Sequence, residues 1–103
     1  MENQEVDLAK ALEFAEAKVA LAEAVQRLEQ NKDFITVIRD GYIKDFALTQ
    51  VANCGAYDDT QTRGFVMGMK ARGILDDYLY AMYQEGIMAK DSLSDIRAEM
   101  EEE

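Results

Sequence analysis

The chain contains no proline among its 103 residues, and this absence most constrains what it can fold into. Proline is the strongest helix breaker, whereas alanine, glutamate, leucine, methionine and lysine, which are frequent here, favour helices. Hydrophobic residues make up 49% of the chain, which argues against disorder throughout. The sequence therefore predicts an all-α protein, a helical bundle or a hairpin with an extended N-terminal helix, folded as a single domain over residues 1–103.

Apolar residues recur with helical spacing in three long stretches and one short stretch. We predict three main helices and a short C-terminal helix, over about residues 6–30, 34–53, 61–84 and 93–101. Gly86 is predicted to end the third helix, because glycine is common just after a helix. Ser92 with Asp95 resembles a capping box, which predicts a new helix start.

The stretch between the first two helices contains residues that favour helix ends. Asn31 is predicted to end the first helix, because asparagine tolerates the left-handed conformation. Asp33 is predicted to cap the second helix with its carboxylate. Phe34 is predicted to anchor the first turn of that helix. Asn31, Asp33 and Phe34 thus form a predicted hinge that orients the helices on either side.

Glycine and aspartate predict three further local features. Gly41 lies inside the second helical pattern and predicts either a close backbone approach or a local bend. Gly55 is expected to end that helix. Asp59 or Thr60 is expected to cap the third helix.

The first helix carries apolar residues around more of its circumference than one neighbour requires. One cluster consists of Leu8, Leu12 and Val19. A second cluster, on roughly the opposite side, consists of Phe14, Leu21, Val25 and Leu28. The helix is therefore predicted either to contact a second subunit as well as its own chain, or to be the central helix of a small bundle. We take the first cluster as a candidate interface.

Three tyrosines of the third helix supply more aromatic surface than one small core needs. They are Tyr78, Tyr80 and Tyr83. Tyrosine is enriched at interfaces because it combines apolar area with a polar tip. We add these residues to the candidate interface, which predicts a protein partner, including a second copy of the chain.

The net charge of −10 argues against direct nucleic-acid binding, which requires clustered lysine and arginine. Residues 91–103 form an acidic C-terminal segment, with six acids against Arg97. Such a segment is typically a solubilising feature, or it docks on a basic partner. No run of about 18 apolar residues is present, so no membrane span is expected.

The chain has no histidine, which excludes catalytic triads and metal sites that depend on imidazole. The single cysteine, Cys54, follows a predicted helix and lacks a base to activate it. The doubled aspartates at 58–59 and 76–77 do not match a calcium-binding loop. We therefore predict no catalytic, cofactor or metal site, and no enzymatic activity.

The residues of the hinge also carry a family resemblance. The pattern Arg27-Leu28-x-x-Asn31-x-Asp33-Phe34, with Ile38 and Gly41-Tyr42 following, resembles one in small helical proteins of tailed bacteriophages. These are mostly uncharacterised and are often encoded among virion or head-assembly genes. The resemblance covers roughly residues 25–52. The chain departs from the pattern at Ile43-Lys44-Asp45-Phe46, where the family has a more acidic run.

The resemblance implies a phage setting and favours a structural or virion-assembly protein. The wide apolar surface of the first helix and the tyrosines of the third predict that it oligomerises through helices or docks on a larger phage structural protein. The resemblance also implies a location in the host cytoplasm during assembly, and in the virion if the protein stays in the particle. It carries over no catalytic residue. The net charge motivates one alternative, a small acidic inhibitor of a host protein that imitates nucleic acid, although the nearly neutral third helix argues against it.

Overall fold

A computed structural model of the protein describes residues 2–102, with side chains from residue 5 onward. The described chain is all-α, as the sequence predicts. Its helices are α1 (Glu2–Gln30), α2 (Lys32–Phe34), a π-helix (Ile35–Phe46), α3 (Ala47–Asn53), a 3-10 helix (Cys54–Ala56) and α4 (Asp59–Glu102).

Within the hinge, one residue with extended backbone, Asn31, separates α1 from α2. Asn31 has φ −73° and ψ 123°, and its side chain accepts a hydrogen bond from the backbone N–H of Phe34. Asn31 directly follows the last residue of α1, as predicted, but its predicted left-handed conformation is wrong, and its side chain serves as the N-cap of α2. Asp33 is not the cap either, because it lies within the first turn of α2, near the positive end of the helix dipole. Phe34 is the last residue of α2, directly before the π-helix, and is half-buried.

The second long helix contains a π-helix rather than uninterrupted α-helix, and Gly41 lies inside it. In a π-helix the backbone hydrogen bonds join residues five apart. A Cβ atom at Gly41 would lie 3.1 Å from the carbonyl oxygen of Thr36, which is five residues earlier. Glycine at position 41 therefore avoids a close contact between a Cβ atom and the backbone of its own helix.

Helix α4 begins with a reciprocal cap at Asp58. The Asp58 carboxylate accepts a hydrogen bond from the backbone N–H of Gln61 at 2.8 Å, and the Gln61 side chain accepts one from the N–H of Asp58 at 3.0 Å. The predicted caps, Asp59 and Thr60, lie one and two residues too late. Gly55 lies inside the 3-10 turn, and no described glycine has positive φ, so it does not end α3 through a left-handed conformation.

Helix α4 continues through Gly86, and this corrects two predictions. The helix does not end at Gly86, and residues 93–101 are its last turns rather than a separate helix. Ser92 and Asp95 therefore lie within a helix and cap nothing. Gly86 instead packs against α1, as described below. Glu103, the last residue of the acidic segment, lies outside the described residues.

The chain divides into two compact units. In unit 1, α1 up to residue 27 pairs with α4 from residue 80 onward. The two helices are antiparallel, because Lys18 contacts Glu85 while the earlier Glu16 contacts the later Arg97. Unit 2 comprises residues 28–79, in which the helices from 32 to 53 pair with the first part of α4.

Candidate functional site

The core of unit 1 is made largely of small residues. Ala15, Ala22 and Ala89 are buried together with Leu93. A Cβ atom built at Gly86 would lie 2.0 Å from the Cβ of Ala22 and 3.0 Å from the carbonyl oxygen of Lys18. The two helix backbones therefore come so close at this point that no side chain fits between them.

Two residues of the predicted interface pack within the chain. Leu12 and Val19 contact the buried cluster of Ala15, Ala89 and Leu93. Leu8, one helical turn before Leu12, is half-buried. We therefore revise the candidate interface: this side of α1 faces its own chain. The exposed side of α1 carries Phe14, Leu21 and Leu28 of the second apolar cluster, whereas Val25 of that cluster is buried.

That exposed side borders a groove between α1 and α4. Phe14 is 65% exposed and Met88 is 68% exposed, and both line the groove. The groove has a volume of about 350 Å³, and Ala11, Ala15 and Ala89 also line it. A concave, mostly apolar surface with two protruding side chains suits contact with an apolar helix of another protein.

The charges at the groove are already paired. The Lys18 ammonium lies 3.0 Å from a Glu85 carboxylate oxygen and 4.9 Å from the centre of the Phe14 ring. The ion pair leaves no net charge there, and the ammonium also contacts the Phe14 ring. The groove is therefore an apolar surface whose neighbouring charges are already paired.

The three predicted interface tyrosines lie in different environments. Tyr83 is half-buried in unit 1, and its hydroxyl accepts a hydrogen bond from Gln26 at 3.5 Å, beside a small pocket of about 80 Å³. Tyr78 and Tyr80 are exposed. Of the three tyrosines, Tyr83 therefore packs within its own chain, while Tyr78 and Tyr80 remain exposed.

Unit 2 encloses an arginine between aromatic rings. Arg72 is 4% exposed, and its guanidinium carbon lies 5.5 Å from the centre of the Tyr42 ring and 5.3 Å from that of Phe46. One terminal nitrogen of the guanidinium donates to the Gln50 side chain at 2.7 Å and to the Met69 sulfur at 3.1 Å. The buried Nε has no acceptor among the described residues. Aromatic faces, rather than a carboxylate, therefore stabilise this cation.

A second arginine links three helices of unit 2. Arg39 in the π-helix donates to the carboxylate of Glu29 at the end of α1 and to that of Asp76 in α4. These hydrogen bonds, chiefly the one to Glu29, raise the pKa of the Arg39 guanidinium above its usual value. Arginine stays charged at all ordinary pH values, so the cation of this network, which joins the end of α1, the π-helix and α4 within unit 2, is permanent.

The described residues offer little that points to chemistry. Cys54 is exposed and is not in a disulfide. No group of three or more carboxylate or cysteine side chains in the described part of the chain is arranged to hold a metal ion. None of the helices described has the length and apolar character that a membrane span requires.

Sequence reasoning missed part of the exposed apolar surface. Met67, Ile74 and Met88 are each about two-thirds exposed or more, and none was a candidate interface residue. For Met67 and Ile74 the signal was the spacing of Met67, Ala71, Ile74 and Tyr78, which alternates between four and three residues. That spacing places one side chain after another on the same side of a helix.

Comparison of the chain with models of protein families, with curated protein sequences and with solved structures gives no match.

Proposed function

We propose that the protein is a non-enzymatic bacteriophage structural or virion-assembly component that acts through helix-mediated contacts with other protein chains. It works by oligomerisation, by docking on a larger phage structural protein, or by both. The phage setting rests on the resemblance at Arg27 to Tyr42. The mode of action rests on the apolar surface that the folded chain leaves exposed.

The observation that carries the mode of action is the imbalance between buried and exposed apolar side chains. Among the described residues, six hydrophobic residues are buried and three of these are alanine, while seventeen large hydrophobic residues are exposed. Scattered exposed apolar residues are ordinary, but contiguous ones mark interaction sites. The groove bordered by Phe14 and Met88 is such a contiguous surface.

The first experiment measures the mass of the isolated protein over a wide concentration range, by light scattering and native mass spectrometry. We expect an oligomer whose population rises with concentration, or a stable complex when the protein is used to capture proteins from infected cells. A strictly monomeric protein that captures no phage protein would refute the proposed function.

A second experiment addresses the phage setting separately. Particles of a phage that encodes this chain are purified, and their proteins are identified by mass spectrometry. A component of the mature virion is expected in stoichiometric amounts. A protein that acts only during assembly is expected in immature particles and not in mature ones. Its absence from both, together with normal particle yield when the gene is deleted, would contradict the assembly role.

The acidic inhibitor is the second candidate, and one observation favours it. Because α4 continues to Glu102, the carboxylates of Asp91, Asp95 and Glu99 follow one another at intervals of four residues along one side of a helix. A row of carboxylates could imitate a short run of phosphates. This candidate predicts tight binding to a host nucleic-acid enzyme that is lost at about 0.5 M salt, where charge interactions are strongly screened.

A further inference from the structure

Helix α4 carries a stripe of exposed apolar residues on the part that belongs to unit 2. The stripe consists of Gly64, Met67, Ala71, Ile74 and Tyr78, all of them exposed. Their spacing of three, four, three and four residues is that of the contact positions in a coiled coil. At 1.5 Å per residue the stripe is about 21 Å long.

The neighbouring side of the same helix already has a partner. Leu79 and Arg72 are buried within unit 2, and Leu75 is half-buried. The stripe is therefore a second apolar side of α4, in addition to the one that its own chain covers. Met67 and Ile74 expose roughly two-thirds of their surface on it.

We infer that the stripe binds the same stripe of a second copy of the chain, with the two α4 helices antiparallel. This inference rests on the proposed function, and it specifies one partner and one geometry for it. In the register that sets Met67 of one copy opposite Ile74 of the other, the small residue Ala71 lies near the twofold axis, where the helices approach most closely.

The charged residues along one edge of the stripe favour an antiparallel over a parallel arrangement of the two α4 helices. Arg63, Lys70 and Asp77 are seven residues apart and therefore follow the same edge. All three are exposed, and none takes part in an ion pair within the described part of its own chain. Their charges are available to a partner.

An antiparallel pair brings this edge against the same edge of the other copy. Arg63 then lies opposite Asp77 of the second copy, and the twofold axis repeats the contact, which gives two ion pairs. The two Lys70 side chains meet at the centre as the one like-charged contact. A parallel pair instead sets the charged edge against the opposite edge of the partner, at Gly68 and Leu75, and forms no ion pair.

The interface between the two stripes is small, so we expect a weak dimer. Three large exposed side chains per copy contribute on the order of 100 Å² each, so the total is below the roughly 1,200 Å² of a standard stable interface. We therefore expect a concentration-dependent dimer in the full chain, rather than a permanent one.

The first test replaces one residue of the stripe and compares it with a matched control. Ile74→Gln removes both of the contacts between Ile74 of one copy and Met67 of the other, and should weaken dimerisation at least about tenfold. Tyr80→Gln is the control, because Tyr80 is also 67% exposed on α4 but lies on a different side of the helix. Sedimentation equilibrium measures the association, and circular dichroism checks that both variants remain helical.

The second test examines direction. Asp77→Arg should weaken the dimer about tenfold, because Arg63 then meets an arginine, and adding Arg63→Asp should restore wild-type association. Lys70→Gln should tighten it. A parallel dimer predicts no effect from Asp77→Arg, so that result would overturn the antiparallel geometry.

The outcomes separate this inference from the proposed function. If the wild-type protein associates but Ile74→Gln associates equally well, the stripe is not the interface and the proposed function stands. Equal weakening by Tyr80→Gln would also overturn the inference, because it would show no preference for the stripe. If the wild-type protein is monomeric and captures no phage protein, the proposed function fails together with the inference.

Discussion

The close contact between Gly86 and Ala22 gives the most exacting test of the fold. In an exposed helix, replacing glycine by alanine stabilises the protein by about 1 kcal/mol, because alanine restricts the unfolded chain. At Gly86 the added Cβ would lie 2.0 Å from the Cβ of Ala22, whereas ordinary contacts between such atoms are 3.4–4 Å. The substitution therefore has two opposing effects, and their sizes decide the result.

The unfavourable effect is the larger one. Alanine has no rotamer that moves its Cβ away, and the Lys18 carbonyl oxygen, 3.0 Å from the built Cβ, is backbone. The helices must separate by roughly 1.5 Å, and gaps of that size forfeit much of the attraction between packed atoms. Overpacking of a core typically costs about 1–3 kcal/mol, and a backbone-limited contact belongs at the upper end. The net effect of Gly86→Ala is a loss of about 2 kcal/mol.

The same substitution elsewhere on α4 should have the opposite sign. A Cβ atom at Gly73 meets nothing within 4 Å. Gly73→Ala should therefore stabilise the protein by about 1 kcal/mol. For a chain of this size the two variants should differ in Tm by roughly 15 °C, which thermal melts and urea titrations followed by circular dichroism resolve. A Gly86→Ala variant that melts at or above the wild-type temperature would refute the close contact.

A double variant identifies the atom responsible. Ala22→Gly removes the Cβ that collides with the one at residue 86, at the cost of about 1 kcal/mol in helix propensity. If the collision dominates, Ala22→Gly combined with Gly86→Ala should be clearly more stable than the sum of the single effects. Simple additivity would assign the loss to something other than this contact.

Three further predictions follow from the packing. Leu12→Glu should lower stability by about 2 kcal/mol in urea titrations, because it places a charge against the unit 1 core, whereas Phe14→Glu on the exposed side should change it by less than about 0.5 kcal/mol. Arg72→Met should leave stability unchanged or raise it by up to about 1 kcal/mol, because it removes a buried N–H that has no acceptor. A loss above about 2 kcal/mol would show that the aromatic contacts with the cation outweigh the cost of the unpaired N–H. Arg39→Gln should lower the free energy of unfolding by about 1 kcal/mol in dilute buffer and by measurably less in about 1 M salt. A loss of stability that does not depend on salt would contradict an ionic origin of the Arg39 contribution.

Periodicity predicted the all-α character of the chain. Ile38 and Tyr42, which are four residues apart, are both half-buried, while Val37, the residue before Ile38, is exposed. The prediction succeeds because a helix face is a local property: residues at fixed intervals share a side whatever the rest of the chain does.

The helix boundaries needed information that local sequence does not contain. Asn31 and Asp33 are both good caps, and the one that is used depends on which residue leaves the helical conformation. Gly86 looks like a helix end because its neighbours in sequence do not include Ala22, the residue that explains it, 64 positions earlier. A glycine that ends a helix and a glycine that admits another helix cannot be distinguished without the partner helix.

The packing at Gly86 also explains why so much apolar surface remains exposed to solvent. Where two backbones meet at a glycine and an alanine, the space between the helices is too thin for large side chains, so the residues that fill it are Ala15, Ala22 and Ala89. Larger apolar residues beside this line, such as Phe14 and Met88, are then left at the edges of the contact. A hydrophobic share of 49% therefore does not imply a large core in this chain. Much of it lies on helix surfaces that the described part of the chain leaves exposed.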